Sequence, residues 1–224
     1  AQLRSIVIKK KKKNLLPLQK NLTVYVPKKF TPAGKNFFGM PYPEKLEYPV
    51  NIDLVSKYFT VTDNPDAADV ALVFIEGASS GNGYDSEESA QGRTGYVPVS
   101  LQYKPYTAKT ARDRSIAGGD PLEKFTNRSY KGKSATAANT SDLDIVLDTR
   151  KKMKEKPVIV SVLLSNPSVF AEFEKQTDAI LVTFGVQDQA VLDILTGIAE
   201  PVALLPLQIP VNMETVETQL EDVS

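Results

Sequence analysis

The residues of this sequence best suited to do chemistry are carboxylates gathered around a glycine-rich stretch. Glu76 closes an apolar run, and the segment GASSGNGYDSEES at 77–89 then places Asp85, Glu87 and Glu88 within six residues of Asn82. None of the 224 residues is Cys or His. Disulfides, thiolate nucleophiles and thiolate metal sites are therefore excluded, as are Ser-His-Asp triads, imidazole zinc sites and imidazole acid–base catalysis. Any catalysis falls to carboxylates, Tyr or Lys, and no cofactor or metal is expected. Asp and Glu in a polar loop are by default solvated, so proximity alone assigns none of the four a role.

The glycines of 77–83 follow a strand-like run, as a phosphate loop would. They lack the Gly-Lys-Ser/Thr ending of a P-loop and the helix-opening spacing of a dinucleotide fingerprint, so neither nucleotide motif is present. Arg112, Asp113 and Arg114 read as a surface ion-pair cluster. The five lysines at 9–13 read as a solvated run at a turn, and Asp188 reads as the N-cap of a following helix.

These groups must be positioned by the elements on either side. Residues 21–27 (NLTVYVP), 70–75 (VALVFI), 157–164 (PVIVSVLL) and 179–184 are short apolar runs rich in β-branched residues. Unbroken runs of this kind are typical of parallel strands buried on both faces. A further short strand is expected at 58–61. Helical spacing recurs at 50–59, 142–153, 169–175 and 189–195. Strand and helix alternate, which predicts an α/β fold: a three-layer α/β/α sandwich around a mainly parallel, flavodoxin-like sheet of about six strands. Ligands on such sheets gather beyond the carboxyl ends of the strands, and the long irregular stretch at 76–135 leaves from such an end. Residues 211–224, with Glu214, Glu217, Glu221 and Asp222, read as a polar linker or tail.

Composition bounds the partners. Hydrophobic residues are 42% and charged residues 24% of the chain, enough for a real core in one domain. Lys+Arg and Asp+Glu are both 27, so no net field draws the chain to nucleic acid or an anionic membrane. No apolar run approaches the roughly 18 residues of a membrane span.

Seven ordered segments resemble the second, C-terminal α/β sandwich domain of glycoside hydrolase family 3. They are RSIVIK at 4–9 with NLLPL at 14–18, VYVP at 24–27, DAADVALV at 66–73, SGNGYD at 80–85, KPVIV at 156–160, TDAIL at 177–181 and LLPLQIP at 204–210. The stretch 102–133 matches poorly. The resemblance implies a domain at 1–210 of a longer periplasmic or extracellular β-glucosidase or β-xylosidase. An N-terminal β/α barrel domain is its intramolecular partner and a β-linked oligosaccharide or glycoside its substrate.

In that family the nucleophilic aspartate lies on the barrel, and many members take their proton donor from a glutamate in a Ser-Gly-Glu-Gly loop of the second domain. Retaining glycosidases need such a pair about 5–5.5 Å apart. Here the matching position is Asn82, whose amide donates no proton at useful pH, although it can bind a sugar hydroxyl. Glu87 and Glu88 are the candidate replacement acids, and Asn82, Asp85 and Tyr84 the candidate substrate ligands. Tyr84, Tyr96, Tyr103 and Tyr106 suit loop packing or sugar stacking. The isolated domain is expected to be inactive. The alternatives are a non-catalytic flavodoxin-like binding module for a small ligand or protein, and a family 3 protein that has lost or moved its catalysis.

Overall fold

The computed structural model describes residues 2–35, 39–115, 122 and 124–219, so that Glu221 and Asp222 lie outside the described residues. The chain divides into two compact units: residues 1–77, 141–165 and 173–208 form the first, and 78–140, 166–172 and 209–224 the second. In chain order the first unit opens with β1 (Ile6–Lys11), β2 (Thr23–Tyr25), β3 (Lys29–Thr31), β4 (Gly34–Lys35), β5 (Pro41–Tyr42), β6 (Lys45–Glu47), α1 (Ile52–Val55), β7 (Thr60–Thr62) and β8 (Val70–Glu76). The second unit contributes α2 (Ser86–Ala90), β9 (Tyr106–Thr107) and β10 (Ser134–Ala135). The first resumes with α3 (Ser141–Met153), β11 (Val158–Leu163), β12 (Ala179–Thr183) and α4 (Asp188–Leu195), and α5 (Met213–Thr218) belongs to the second.

The first unit carries the expected sandwich. Its six-stranded sheet runs β1-β12-β11-β8-β2-β7. Every neighbouring pair is parallel except β1 with β12. Successive strand side chains point to opposite faces. Val70, Leu72, Ile159, Ala179 and Leu181 share one core with Val55 of α1 and Val191, Leu192 and Leu195 of α4. Their alternates Ala71, Val73, Val160, Ile180 and Val182 are buried too, on the face where α3 packs against β8 and β11 through Leu143, Val146 and Met153. Burial on both faces is why these strands read as unbroken apolar runs. Each full-size side chain so buried contributes about 1.5–3 kcal/mol.

Several local expectations are corrected. The lysine run is not a solvated turn: Lys9–Lys11 lie on the antiparallel edge strand β1. Lys9 pairs with Glu174 at 2.6 Å, and Lys10 donates to the Thr177 carbonyl at 2.7 Å. Lysines on an edge strand also discourage pairing with another chain's edge. The strand expected at 58–61 begins at Thr60, because Tyr58 and Phe59 donate back to the Val55 carbonyl in the turn closing α1. No α-helix forms at 169–175. Val169 N–H instead donates to the Leu101 carbonyl at 2.7 Å. A single 3₁₀ turn follows at Glu174–Gln176. Asp188 is not a cap but the first residue of α4, and its carboxylate accepts from Asn51 N–H at 2.9 Å.

The stretch read as a long loop contains most of the second unit, with Tyr103, Ala108 and Ala111 buried. Within the segment read as a polar linker, α5 is a capped helix: Asn212 Oδ1 accepts from Thr215 N–H at 2.8 Å, and Met213 is buried.

Candidate functional site

The candidate loop is built from its own backbone and polar side chains. Gly83 and Gly95 hold φ of +81° and +76°, a region that glycine enters without steric cost. These conformations let Val97 N–H reach the Gly83 carbonyl at 3.0 Å and Asp85 N–H reach the Gly95 carbonyl at 2.8 Å. Tyr84 and Tyr96 face each other across a β-bridge, ring edge to ring face with centroids 5.8 Å apart. Arg128 lies 5.3 Å from the Tyr96 ring centroid, and Phe125 packs edge-on at 6.0 Å. Tyr96 is thus a packing residue, as is the fully buried Tyr103, whereas Tyr84 is 48% exposed.

The five predicted site residues fall together on this loop, with different work. Asn82 is exposed, and its Oδ1 accepts from Tyr84 N–H at 3.2 Å in a local turn. Asp85 caps α2, accepting from Glu87 N–H at 2.8 Å and Glu88 N–H at 3.3 Å. This satisfies donors that a helix start leaves open. Glu88 is held by Lys133 at 2.5 Å and Arg93 at 3.3 Å, and Lys133 also binds Thr94 Oγ1 and the Tyr96 carbonyl. Its carboxylate therefore ties the loop to residue 133. Glu87 is exposed. Of the two expected acids, only Glu87 presents its carboxylate to solvent.

Behind Asn82 the second unit contains a cavity of about 450 Å³, lined by Asn82, Tyr96, Arg128, Tyr130, Val216 and Glu217 among others. Burial raises the Glu217 carboxyl above its ordinary value, against the pull of the Tyr130 and Tyr106 hydroxyls. The Tyr106 phenol is pushed up to about 12, by burial first and by the Glu217 charge second. It therefore stays a neutral donor at ordinary pH. Sequence reasoning missed Arg128, Tyr130 and Glu217. The one legible signal was Asn212 ahead of Met213 and Val216 at helical spacing, masked by the acidic composition of the segment.

In the first unit a cavity of about 390 Å³ lies at the carboxyl ends of β8, β11 and β12, lined by Glu76, Ser161, Leu163, Thr183, Lys29 and Asp188 among others. Its cation is occupied. Lys29 sits 3.1 Å from Glu76 and 3.0 Å from the buried Asp142. Burial lowers the Lys29 ammonium, and the two carboxylates more than offset it and leave it raised. Among the described residues there is no cluster of acidic side chains able to hold a metal ion. No helix there is long and apolar enough to cross a membrane.

No protein-family model matches the chain. Beta-glucosidase C of Emericella nidulans is 37% identical over 67 residues, covering 30% of this chain and 11% of that protein. The periplasmic beta-glucosidase/beta-xylosidase of Dickeya chrysanthemi is 27% identical over 99 residues, covering 44% of this chain and 15% of that protein. The matches thus span about an eighth of the length of these relatives. The crystal structure of a GH3 beta-glucosidase from Bifidobacterium adolescentis superposes with a TM-score of 0.54 at 13% identity, over 95% of this chain and 28% of the other. That likeness concerns the fold, and the sequence matches carry the relationship. The chain is thus similar in sequence to named β-glucosidases over 30–44% of its length, and its fold matches part of a GH3 β-glucosidase structure over 95% of the chain.

Proposed function

We propose that this chain is the second domain of a longer β-glycosidase and completes a sugar pocket whose nucleophile lies on an N-terminal β/α barrel. The observation that carries the reading is the sequence match to named β-glucosidases. An exposed loop of hydrogen-bonding side chains beside a cavity whose lining includes Arg128, Tyr130 and Glu217 supports it. β-Glucosides and β-xylosides are the substrates, and the periplasm or the outside of the cell is the compartment. Asn82 and Tyr84 bind sugar hydroxyls from the loop, while Asp85 holds the backbone in shape. Without the barrel carboxylate no glycosyl transfer can begin, so the isolated chain is inactive.

The test is hydrolysis of 4-nitrophenyl β-glucoside and β-xyloside by this chain alone and by the full gene product. Activity of the long protein only is the expected outcome. Activity of the short chain would sink the missing-nucleophile argument. Inactivity of both would favour a binding module, for which the 390 Å³ cavity at the strand ends is the place to look.

A further inference from the structure

The loop position at which the family resemblance implies a proton donor carries an amide, and of the nearby acids Glu88 is tied to two cations while Asp85 caps a helix. Another carboxyl lines the same cavity as Asn82 from a different segment. The geometry points to Glu217 as the acid that protonates the leaving group, in place of the loop residue; this rests on the glycosidase reading above.

Glu217 stands on α5, which Met213 anchors by burial and Asn212 caps. Its Oε2 lies 3.5 Å from the Tyr130 hydroxyl, a long contact that leaves the carboxyl oriented and not locked. The phenol in contact with it is that of Tyr130, and the buried Tyr106 hydroxyl lies near enough for its electrostatics to couple to Glu217. Arg112 and Arg128 line the adjoining walls, and Glu214 lies one turn earlier on the helix. A carboxyl partly withdrawn from water, touching a neutral phenol and raised by burial, is shifted in the direction a general acid needs.

In the step, the Glu217 proton passes to the glycosidic oxygen as the C1–O bond breaks, its electron pair going to that oxygen. The electron-deficient C1 is captured by the carboxylate of the barrel domain, giving a glycosyl ester. Water then attacks C1, the ester bond breaks with its electron pair returning to the barrel carboxylate, and the water's proton passes to the Glu217 carboxylate, restoring both groups.

The experiment compares wild-type, Glu217→Gln and Glu87→Gln full-length proteins on two substrates. Cellobiose has a leaving group that needs protonation, and 2,4-dinitrophenyl β-glucoside has one that does not. General acid catalysis is worth about 10²–10⁴-fold. Glu217→Gln should lose that factor in kcat/KM on cellobiose and little in the glycosylation step on the dinitrophenyl glucoside. Added azide should restore turnover as β-glucosyl azide. Equal losses on both substrates, no loss, or the same signature in Glu87→Gln would overturn the assignment. A wild-type protein that cleaves neither substrate would sink the glycosidase reading itself.

Folding of the variant is read separately, on the isolated chain. A carboxyl whose folded pKa is raised contributes stability that is full below its unfolded pKa and is lost as pH rises through the folded value. Glu217→Gln should therefore melt higher than wild type above that window. A melt that falls at every pH would reduce Glu217 to a structural role.

Discussion

The sheet of the first unit and the loop system of the second are stabilised by different means. In the sheet, backbone ladders and apolar side chains do nearly everything, with β8, β11 and β12 in continuous parallel register. In the second unit, side chains satisfy the backbone. Glu172 accepts from Tyr103 and Lys104 N–H at 2.6 and 3.0 Å. Ser80 Oγ accepts from Ser100 N–H at 2.6 Å, and Asn139 Oδ1 from Ser79 N–H at 3.0 Å. Removing apolar volume leaves a cavity with no substitute, whereas a backbone bond opened in the exposed part of the loop, around Asn82 to Glu87, is taken up by water. The sheet therefore sets global stability, and the loop system opens locally at lower cost.

The sharpest way to break this comparison is to hollow the sheet. Leu181, fully buried on β12, should cost about 2–5 kcal/mol as Leu181→Ala, read as a lowered denaturant midpoint at unchanged slope. A loss below about 1 kcal/mol would mean that the packing of the sheet core is not what chiefly holds the fold together.

The next largest effect concerns a charged cluster joined to the sheet. Asp178 is buried and accepts from Val158 N–H at 2.8 Å. It pairs with Lys12 at 2.5 Å and with Arg150. Burial raises its carboxyl, but Lys12, the Val158 amide and Arg150 together lower it below the ordinary range. Its stabilisation is present above the unfolded carboxylate pKa of about 3.9 and is lost as pH falls through the lower folded value. Asp178→Asn keeps the shape and removes the charge, so it should cost about 2–3 kcal/mol at pH 7. The gap to wild type should close in acid. A gap that stays constant from pH 7 down to pH 2 would rule out the charge as its source.

The same contrast decides what could be read in advance. Strands buried on both faces announce themselves, so β8, β11 and β12 were legible, as were the amphipathic helices α3 and α4. Strand β1 was hidden because lysines break its apolar run after Ile8. Asn82 to Glu88 were legible as one loop, and Asp85 with Glu88 three residues on has the spacing of a helix start. Lys133, which holds Glu88, lies 45 residues away, and Glu172, which holds the Tyr103 amide, lies 69 away. Periodicity carries no signal for such pairings. The cavity wall formed by Arg128, Tyr130 and Glu217 was lost for the same reason.

The smallest expected effect tests the loop by itself. A Cβ on Gly95 would lie 2.6 Å from the Tyr84 ring and 3.2 Å from Ser89 Cβ, at a φ of +76° that L-residues rarely adopt. Tyr84 is half exposed and can swing aside, so the cost of Gly95→Ala is chiefly backbone strain, about 1–2 kcal/mol. The bonds at risk are Asp85 N–H to the Gly95 carbonyl and Val97 N–H to the Gly83 carbonyl. Amide exchange at Asp85 and Val97 should speed up about 5–30-fold, while amides of Val160 and Leu181 in the sheet keep their wild-type rates. If the sheet amides accelerate by the same factor, the loop is part of the cooperative core and the contrast drawn between the two units is wrong.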